Sequence, residues 1–301
     1  MKSGIINVYK EKGFTSFDMG AKLRGILKTK KIGHTGTLDP DAEGVLPVCI
    51  GKATKVCDLL TDKDKVYEAV MLLGVETDTQ DTSGEILKEL PVEVSEDRLR
   101  EAILSFVGDY DQVPPMYSAL KVNGKKLYEL AREGKVIERK ARRVHIFSIE
   151  IQEICLPRVR MSVHCSKGTY IRTLCHDIGQ MLGCGGCMEK LLRTKVGVFE
   201  RKDTLKLSEI DALAKEGIVE EKIISVDALF AEYPSFWTTE AFDVVVHNGN
   251  RVEKRMFAEK PCAKEERLRV YDSQGEFIGI YEYSPERKDY KPVKMFYENI
   301  G

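Results

Sequence analysis

The 301-residue sequence predicts an α+β protein with a small all-β domain at its C-terminal end. Apolar runs of strand length alternate with capped helical segments over the first 230 residues. Beyond that point the chain consists of short β-like pieces between turn sequences, of which the clearest is a hairpin of residues 267–271 and 277–283. We therefore expect a first domain over residues 1–230 and a second over residues 231–301.

Capping residues and apolar patterning define the elements of the first half of the chain. Ser16 and Ser95 predict the N-caps of helices that extend to about residues 28 and 106. The other elements, in order, are a strand at 5–9, a glycine-rich loop at 33–44, a strand at 45–50, a helix at 53–60, a strand at 66–73 and a turn between strands at 78–84.

The second half of the first domain contains a charged excursion and then further strands and helices. Residues 113–143, here called the thumb segment, begin with Pro114-Pro115, and their charge and turn residues predict a departure from the core. From residue 158 to residue 165, apolar and polar residues alternate, which predicts a strand with one buried and one polar face. The remaining elements are a helix at 125–133, a strand at 144–154, and helices at 170–182 and 208–215.

Charge is distributed unevenly, although the formal net charge is only −1. Residues 22–31 hold five bases and no acid, and residues 121–143 hold nine bases against three acids. One such block alone is more often a solvated helix face, but together the blocks permit a nucleic-acid partner. No apolar run has the length of a membrane span and the N-terminus lacks a signal-peptide core, so we expect a cytoplasmic protein with no membrane contact.

Metal and cofactor motifs are weak. Cys184-Gly185-Gly186-Cys187 has the spacing of metal ligands, but no second spaced pair is present, and its glycines are typical of a helix end. The stretch from Gly44 to Lys52 is too long for a phosphate-binding loop, and Ala53 stands where a hydroxyl is required. We expect free cysteines, no metal and no cofactor.

The loop of residues 33–44 has the strongest local signal in the chain. Its three glycines permit unusual backbone angles, and Pro40 restricts both its own φ and the backbone of Asp39. The loop is therefore expected to hold the Asp39 carboxylate in a defined position. By composition alone, a polar surface turn explains it equally well.

Four ordered motifs and a short fifth one together resemble the TruB family of tRNA pseudouridine synthases. They are GHTGTLDPDAEGVLPVCIGKATK (33–55), KVY (65–67), VPPMYSALKVNGKKLYELAREG (113–134), CSKGTYIRTL (165–174) and KLLR (190–193). The resemblance covers residues 4–200, and the tail resembles that family's PUA domain more loosely. It implies a pseudouridine synthase catalytic domain with a mixed, largely antiparallel sheet flanked by helices, followed by a small all-β PUA-like domain.

The family isomerises uridine 55 in the T loop of tRNA, detaching the base from C1′ and rejoining it through C5. The reaction requires the base to be flipped out of its stack and uses no cofactor. The resemblance thus implies a tRNA partner held through its T arm, and through its acceptor end by the C-terminal domain. We expect a monomer that needs no guide RNA, because the chain has the thumb segment and lacks long basic tails.

The resemblance implies three catalytic residues. Asp39 is the nucleophile, Tyr67 stacks on the uracil and helps to take the C5 proton, and Arg172 pairs with Asp39. Implied substrate contacts are His34 with the T loop, Lys55, Tyr170 and Leu191 in the pocket, and Lys121, Lys125, Lys126, Arg142 and Arg143 with phosphates.

Several alternatives stay open. Without the motifs, Tyr67 and Leu191 fit plain core positions and Arg172 fits a helix surface. Asp39 either attacks C6 of the base or acts at the ribose. The family has Lys-Pro where this chain has Glu11-Lys12, which weakens the match of the first loop. The rival function is a non-catalytic tRNA-binding or tRNA-folding protein on the same fold.

Overall fold

The strands of the first part of the chain assemble into one sheet in the computed structural model, which describes residues 2–122, 124–262 and 266–297. In chain order the strands are β1 (Gly4–Lys10), β2 (Ile32–His34), β3 (Glu43–Ile50), β4 (Lys65–Leu73), β5 (Val75–Thr77), β6 (Ile86–Glu89), β7 (Gly108–Gln112), β8 (Lys121–Val122), β9 (Lys125–Lys126), β10 (Arg142–Cys155), β11 (Arg158–Cys165), β12 (Gly186–Val196), β13 (Phe199–Glu200), β14 (Ser235–Trp237), β15 (Val252–Glu253), β16 (Arg267–Tyr271), β17 (Phe277–Ser284) and β18 (Asp289–Met295). The α-helices are α1 (Ser16–Ile26), α2 (Cys57–Thr61), α3 (Glu96–Leu104), α4 (Leu127–Arg132), α5 (Ile171–Leu182), α6 (Leu207–Glu216) and α7 (Asp243–His247).

The first sheet has nine strands, in the order β1-β3-β12-β4-β11-β10-β7, with β2 paired to β3 and β13 to β12. Among its described strand pairs only β3 with β12 is parallel. Apolar residues of α3 and α5 pack on β4, β10 and β11, and those of α1 and α6 pack on β1 and β3. The predicted α+β class, with a mixed, largely antiparallel sheet flanked by helices, is confirmed.

Strand β4 lies at the centre of this sheet and sorts its side chains onto two faces. Tyr67, Ala69 and Met71 are buried, while the residues between them are half-buried. In register, Tyr67 lies opposite Arg193 of β12 on one side and Val163 of β11 on the other. The face that carries Tyr67 is thus the face covered by α5.

Several local predictions differ from the structure, and the loop predicted at 33–44 begins within strand β2. The N-cap of α1 is Thr15, whose side chain accepts from the amide of Asp18, and Ser16 is the first helical residue. The helix predicted at 53–60 is a 3₁₀ turn (Gly51–Val56) followed by the short α2. In the thumb segment, the predicted helix starts later, at α4, because Lys125 and Lys126 pair with β8 as strand β9.

The second sheet contains the C-terminal strands in the order β14-β16-β17-β18-β15, and the predicted hairpin appears as β16 and β17. Its own apolar cluster includes Val246, Leu268, Ile278 and Tyr281. Another cluster joins residues of both sheets, among them Val45, Val196, Ile280 and Phe296. In the part of the chain that the structure describes, no helix is long and apolar enough to cross a membrane.

Candidate active site

The loop between β2 and β3 is held in place by hydrogen bonds from a buried lysine. The ammonium group of Lys10, at the end of β1, donates to the carbonyl oxygens of Pro40 at 3.0 Å and Ala42 at 2.5 Å. Within the loop, the amide of Ala42 donates to the carbonyl of Asp39 at 3.1 Å. Lys10 is fully buried, and this burial lowers its pKa to about 8. These contacts hold Asp39 in the defined geometry that the proline and glycines predict.

Gly44 closes the loop against β12. Its φ of +111° is one that other residues rarely adopt. A Cβ at this position would lie 2.1 Å from the carbonyl oxygen of Arg193, so no side chain fits between the two strands.

Gly44→Ala is therefore expected to lower the free energy of unfolding by about 3 kcal/mol and to reduce activity. The physical reasons are the strained φ and the collision with backbone that cannot move without breaking the sheet. Thermal unfolding and an activity assay on the same preparation measure the two effects. Gly25→Ala in α1 is the control: its Cβ meets no atom of the described residues within 4 Å, and we expect unchanged or higher stability. Equal melting temperatures for both variants would contradict this account.

Arg172 joins three separate segments at the site. It lies in the first turn of α5 and is 5% exposed. Its Nη2 atom lies 3.3 Å from the Asp39 carboxylate and donates to the carbonyl of Tyr117 at 2.6 Å. Its Nη1 atom lies 3.5 Å from the Asp81 carboxylate. The guanidinium thus connects the Asp39 loop, the turn between β5 and β6, and the start of the thumb segment.

The pKa of Asp39 is set by its burial and by the charges near it. Burial raises the pKa of Asp39 above its ordinary value, and Asp81 adds to this, whereas the positive charges of Arg172 and Lys10 act to lower it. The Asp39 side chain is still 40% exposed, unlike that of Arg172. A carboxylate held by a cation, with one open side, has the arrangement that a nucleophile needs.

Tyr67 and Leu191 contribute the apolar wall. Tyr67 belongs to the same apolar cluster as Leu38, the residue before Asp39, and Leu191 packs against that cluster. Burial raises the pKa of the Tyr67 phenol, and the positive charge of Arg193 opposes this shift. Leu191 lies opposite Ala69 in register, so its side chain is on the Tyr67 face.

Tyr170 precedes α5 and is fixed by Gln112. Its amide donates to the Gln112 side chain at 2.8 Å, and that side chain donates back to the Tyr170 carbonyl at 2.9 Å. The Arg172 guanidinium lies 6.0 Å from the Tyr170 ring centroid. Tyr170 is therefore brought together with Arg172 and, through it, with Asp39.

Several buried polar atoms around these residues have no hydrogen-bond partner within residues 2–122, 124–262 and 266–297. They include Nδ1 of His34, Oγ of Ser118, Nε of Arg172 and Nη2 of Arg193. His34 ends β2, and burial lowers its pKa.

The remaining predicted contacts lie farther out. Lys55 is in the 3₁₀ turn at the opposite end of β3 from the Asp39 loop. Lys121 and Lys125 are exposed on the β8–β9 hairpin, and Lys126 is half-buried with Nζ 5.3 Å from the Tyr128 ring. The structure places Arg142 and Arg143 in β10 of the large sheet, and Arg143 pairs with Asp111 at 2.8 Å.

Sequence reasoning missed three residues of the site. Asp81 was assigned only to a turn, and neither Lys10 nor Arg193 received a role. Arg193 is 1% exposed, and its Nε donates to the Val45 carbonyl at 2.8 Å, where it supports the end of the Asp39 loop. The available signal was a charged residue inside an apolar strand pattern, which is costly unless it has a structural or chemical use.

Comparison with known proteins identifies the family. The model for the TruB family pseudouridylate synthase N-terminal domain matches residues 24–171, and that for the tRNA pseudouridylate synthase B C-terminal domain matches residues 172–231. The chain is 55% identical to tRNA pseudouridine synthase B of Lachnoclostridium phytofermentans, with 98% of this chain and 99% of that one covered. It is 46% identical to the protein of the same name from Clostridium acetobutylicum, with 97% and 99% covered.

Solved structures agree on the fold. One chain of a Cbf5-Nop10-Gar1 complex is 27% identical and superposes with a TM-score of 0.71, over 97% of this chain and 84% of that one. A chain of the archaeal box H/ACA sRNP Nop10-Cbf5 complex is 24% identical and also superposes with a TM-score of 0.71, over 99% of this chain and 87% of that one.

Proposed function

The chain belongs to the TruB family of pseudouridylate synthases, and we propose that it isomerises uridine 55 in the T loop of tRNA to pseudouridine without a guide RNA. The observation that carries the proposal is the half-exposed Asp39 carboxylate, paired with the buried Arg172 and held by a loop that Lys10 fastens. A protein that only binds RNA has no need for such a group beside Tyr67.

The target uridine must leave its stack to reach Asp39. In our proposal the flipped uracil lies against Tyr67, and base stacking on an aromatic ring is worth about 1–3 kcal/mol. Leu191 closes the apolar side of the pocket. Tyr170 lines it next to Arg172, and His34, at the end of β2 beside the Asp39 loop, is proposed to contact the T loop.

Asp39 supplies the electron pair for the chemical step. Its carboxylate adds at C6 of the base or acts at C1′ of the ribose, and the bond between C1′ and N1 breaks. The base then rejoins C1′ through C5, the C5 proton leaves with the help of Tyr67, N1 takes up a proton, and the carboxylate is released unchanged. Arg172 keeps Asp39 ionised and oriented for this step.

Contacts outside the pocket hold the rest of the tRNA. Lys121, Lys125 and Lys126 of the thumb segment are proposed to bind phosphates of the T arm, with Arg142, Arg143 and Lys55 adding positive charge.

We divide the chain at residue 230 into a catalytic domain and a PUA-like domain, and the latter is proposed to bind the acceptor end. Trp237, which is 45% exposed and stacked on Tyr271, is the aromatic surface that supports this role.

The enzyme is proposed to be a cytoplasmic monomer, and size-exclusion chromatography with and without tRNA tests its stoichiometry.

Tritium release from a tRNA transcript labelled at C5 of its uridines tests the proposed reaction. We expect wild-type protein to release one equivalent of tritium per tRNA, and a transcript with cytidine at position 55 to release none. Release from the cytidine transcript would refute the choice of position 55. Tight binding of tRNA without any release would instead support the non-catalytic alternative.

A further inference from the structure

Helix α1 presents an aromatic ring to solvent next to the Asp39 loop. Phe17, in the first turn of the helix, is 68% exposed. The preceding residue, Ser16, accepts a hydrogen bond from the amide of Leu38 at 3.0 Å. The residue before Phe17 thus contacts the loop that carries Asp39, while the Phe17 ring itself contributes little to the core.

Phe17 flanks the side of α1 that faces β2. Gly20 identifies this side, because a Cβ built on it would lie 3.8 Å from Cγ2 of Ile32 in β2. Phe17 precedes Gly20 by one helical turn and Arg24 follows it by one turn, so both flank Gly20 on the same side. Strand β2 continues from Ile32 to His34. Phe17 and Arg24 thus border the surface that ends at His34.

Positive charge accompanies the ring. The Arg24 guanidinium lies 5.9 Å from the Phe17 ring centroid, and residues 22–31 contain no acid. Within residues 2–122, 124–262 and 266–297, Arg24, Lys28 and Lys30 form no ion pair. An exposed aromatic ring with an arginine beside it is a combination by which proteins bind unpaired nucleotides, the ring to a base and the guanidinium to a phosphate.

We propose that Phe17 and Arg24 form an additional RNA contact, which binds the nucleotides next to the flipped uridine. The Phe17 ring stacks on an unpaired base of the T loop, and Arg24 contacts the adjoining phosphate. Lys28 and Lys30, beyond the end of α1, extend the phosphate contacts along the arm. This inference rests on the proposed function, since it assumes that the T loop lies at His34 and Asp39. The contact acts on RNA affinity and not on the chemical step.

Binding of an unmodified T-arm hairpin to the Asp39→Asn protein tests this contact without turnover. In that background, Phe17→Ala is expected to raise Kd about 10-fold. Phe17→Tyr is expected to keep the affinity, whereas Phe17→Leu loses it although it stays apolar. Arg24→Ala is expected to reduce the slope of log Kd against log salt concentration by about one. Val198→Ala, at an apolar position 75% exposed in the turn after β12, is the matched control and leaves Kd unchanged.

Four outcomes would overturn the inference, and a fifth would affect only the proposed function. Equal affinity of the Leu and Phe proteins would exclude stacking, and an unchanged salt slope would exclude the phosphate contact. Self-association of the wild type that Phe17→Ala abolishes, with hairpin binding unchanged, would assign the surface to a second copy of the chain. Hairpin binding insensitive to Phe17→Ala, with normal tritium release by the wild type, refutes this contact and leaves the proposed function standing. Weakened hairpin binding without wild-type tritium release refutes only the catalysis.

Discussion

Asp39→Asn is expected to abolish tritium release from C5-labelled tRNA while changing the tRNA Kd by no more than about twofold. Asparagine has nearly the shape of aspartate, so the loop fastened by Lys10 keeps its contacts with the Pro40 and Ala42 carbonyls. The amide has no negative charge and cannot supply the electron pair for the reaction. Single-turnover tritium release and filter binding, performed on the same preparation, separate the two effects.

Asp41→Asn is the matched control for this prediction. Asp41 lies two residues away in the same loop, but its side chain is 62% exposed and its ion pair with Lys12 is 3.6 Å long at the surface. Such a pair contributes little, and we expect the variant to release tritium at the wild-type rate. Residual catalysis by the Asp39 variant, or equal loss in both variants, would show that the nucleophile has been assigned wrongly.

Much of the frame of the site was predictable because it rests on local signals. The alternation of Val159, Met161 and Val163 with polar residues correctly predicted a strand with one buried face, now β11. Turn residues around Gly275 predicted the hairpin of β16 and β17, and Ser95 predicted the N-cap of α3. In each case neighbouring residues decide the geometry, so a single sequence contains the information.

Capping of α1 shows how a local rule selects the wrong neighbour. Thr15 and Ser16 are both good N-cap residues, and the choice depends on which one can pair with Asp18 three positions later. Thr15 does so, which frees the Ser16 hydroxyl to accept from Leu38 across 22 residues of sequence. That second contact links the helix to the Asp39 loop and is tertiary, so no capping rule predicts it.

Lys10, Asp81 and Arg193 could not be placed because their partners are distant in sequence. Lys10 bonds to backbone carbonyls some 30 residues away, and Arg172 meets Asp81 across 91 positions. Backbone carbonyls are present at every residue, so the sequence has no feature that marks those of Pro40 and Ala42 as acceptors. The contacts of Lys10 and Arg193 emerge only when the strand order brings β1, β3 and β12 side by side.

Arg172→Met is expected to lower kcat at least about 100-fold and to shift the acidic limb of the pH–rate profile to higher pH. Only ionised Asp39 reacts, so activity falls as the pH drops through its pKa, which burial already raises. Arg172 counteracts that rise, and its removal raises the pKa of Asp39 further and leaves Asp81 without its cation. Rates of tritium release between pH 5 and 9, with saturating tRNA, measure the shift.

Asp81→Asn provides the opposite test in the same cluster. The negative charge of Asp81 raises the pKa of Asp39, so its removal moves the acidic limb to lower pH while Arg172 stays in place. Arg172→Lys keeps a positive charge but cannot contact Asp39, Asp81 and the Tyr117 carbonyl together, so its pH limb is expected to lie between those of the wild type and of Arg172→Met. If Arg172 had only a structural role, its removal would lower the melting temperature without moving the acidic limb. Shifts of the acidic limbs of Arg172→Met and Asp81→Asn in the same direction would refute the assigned electrostatics.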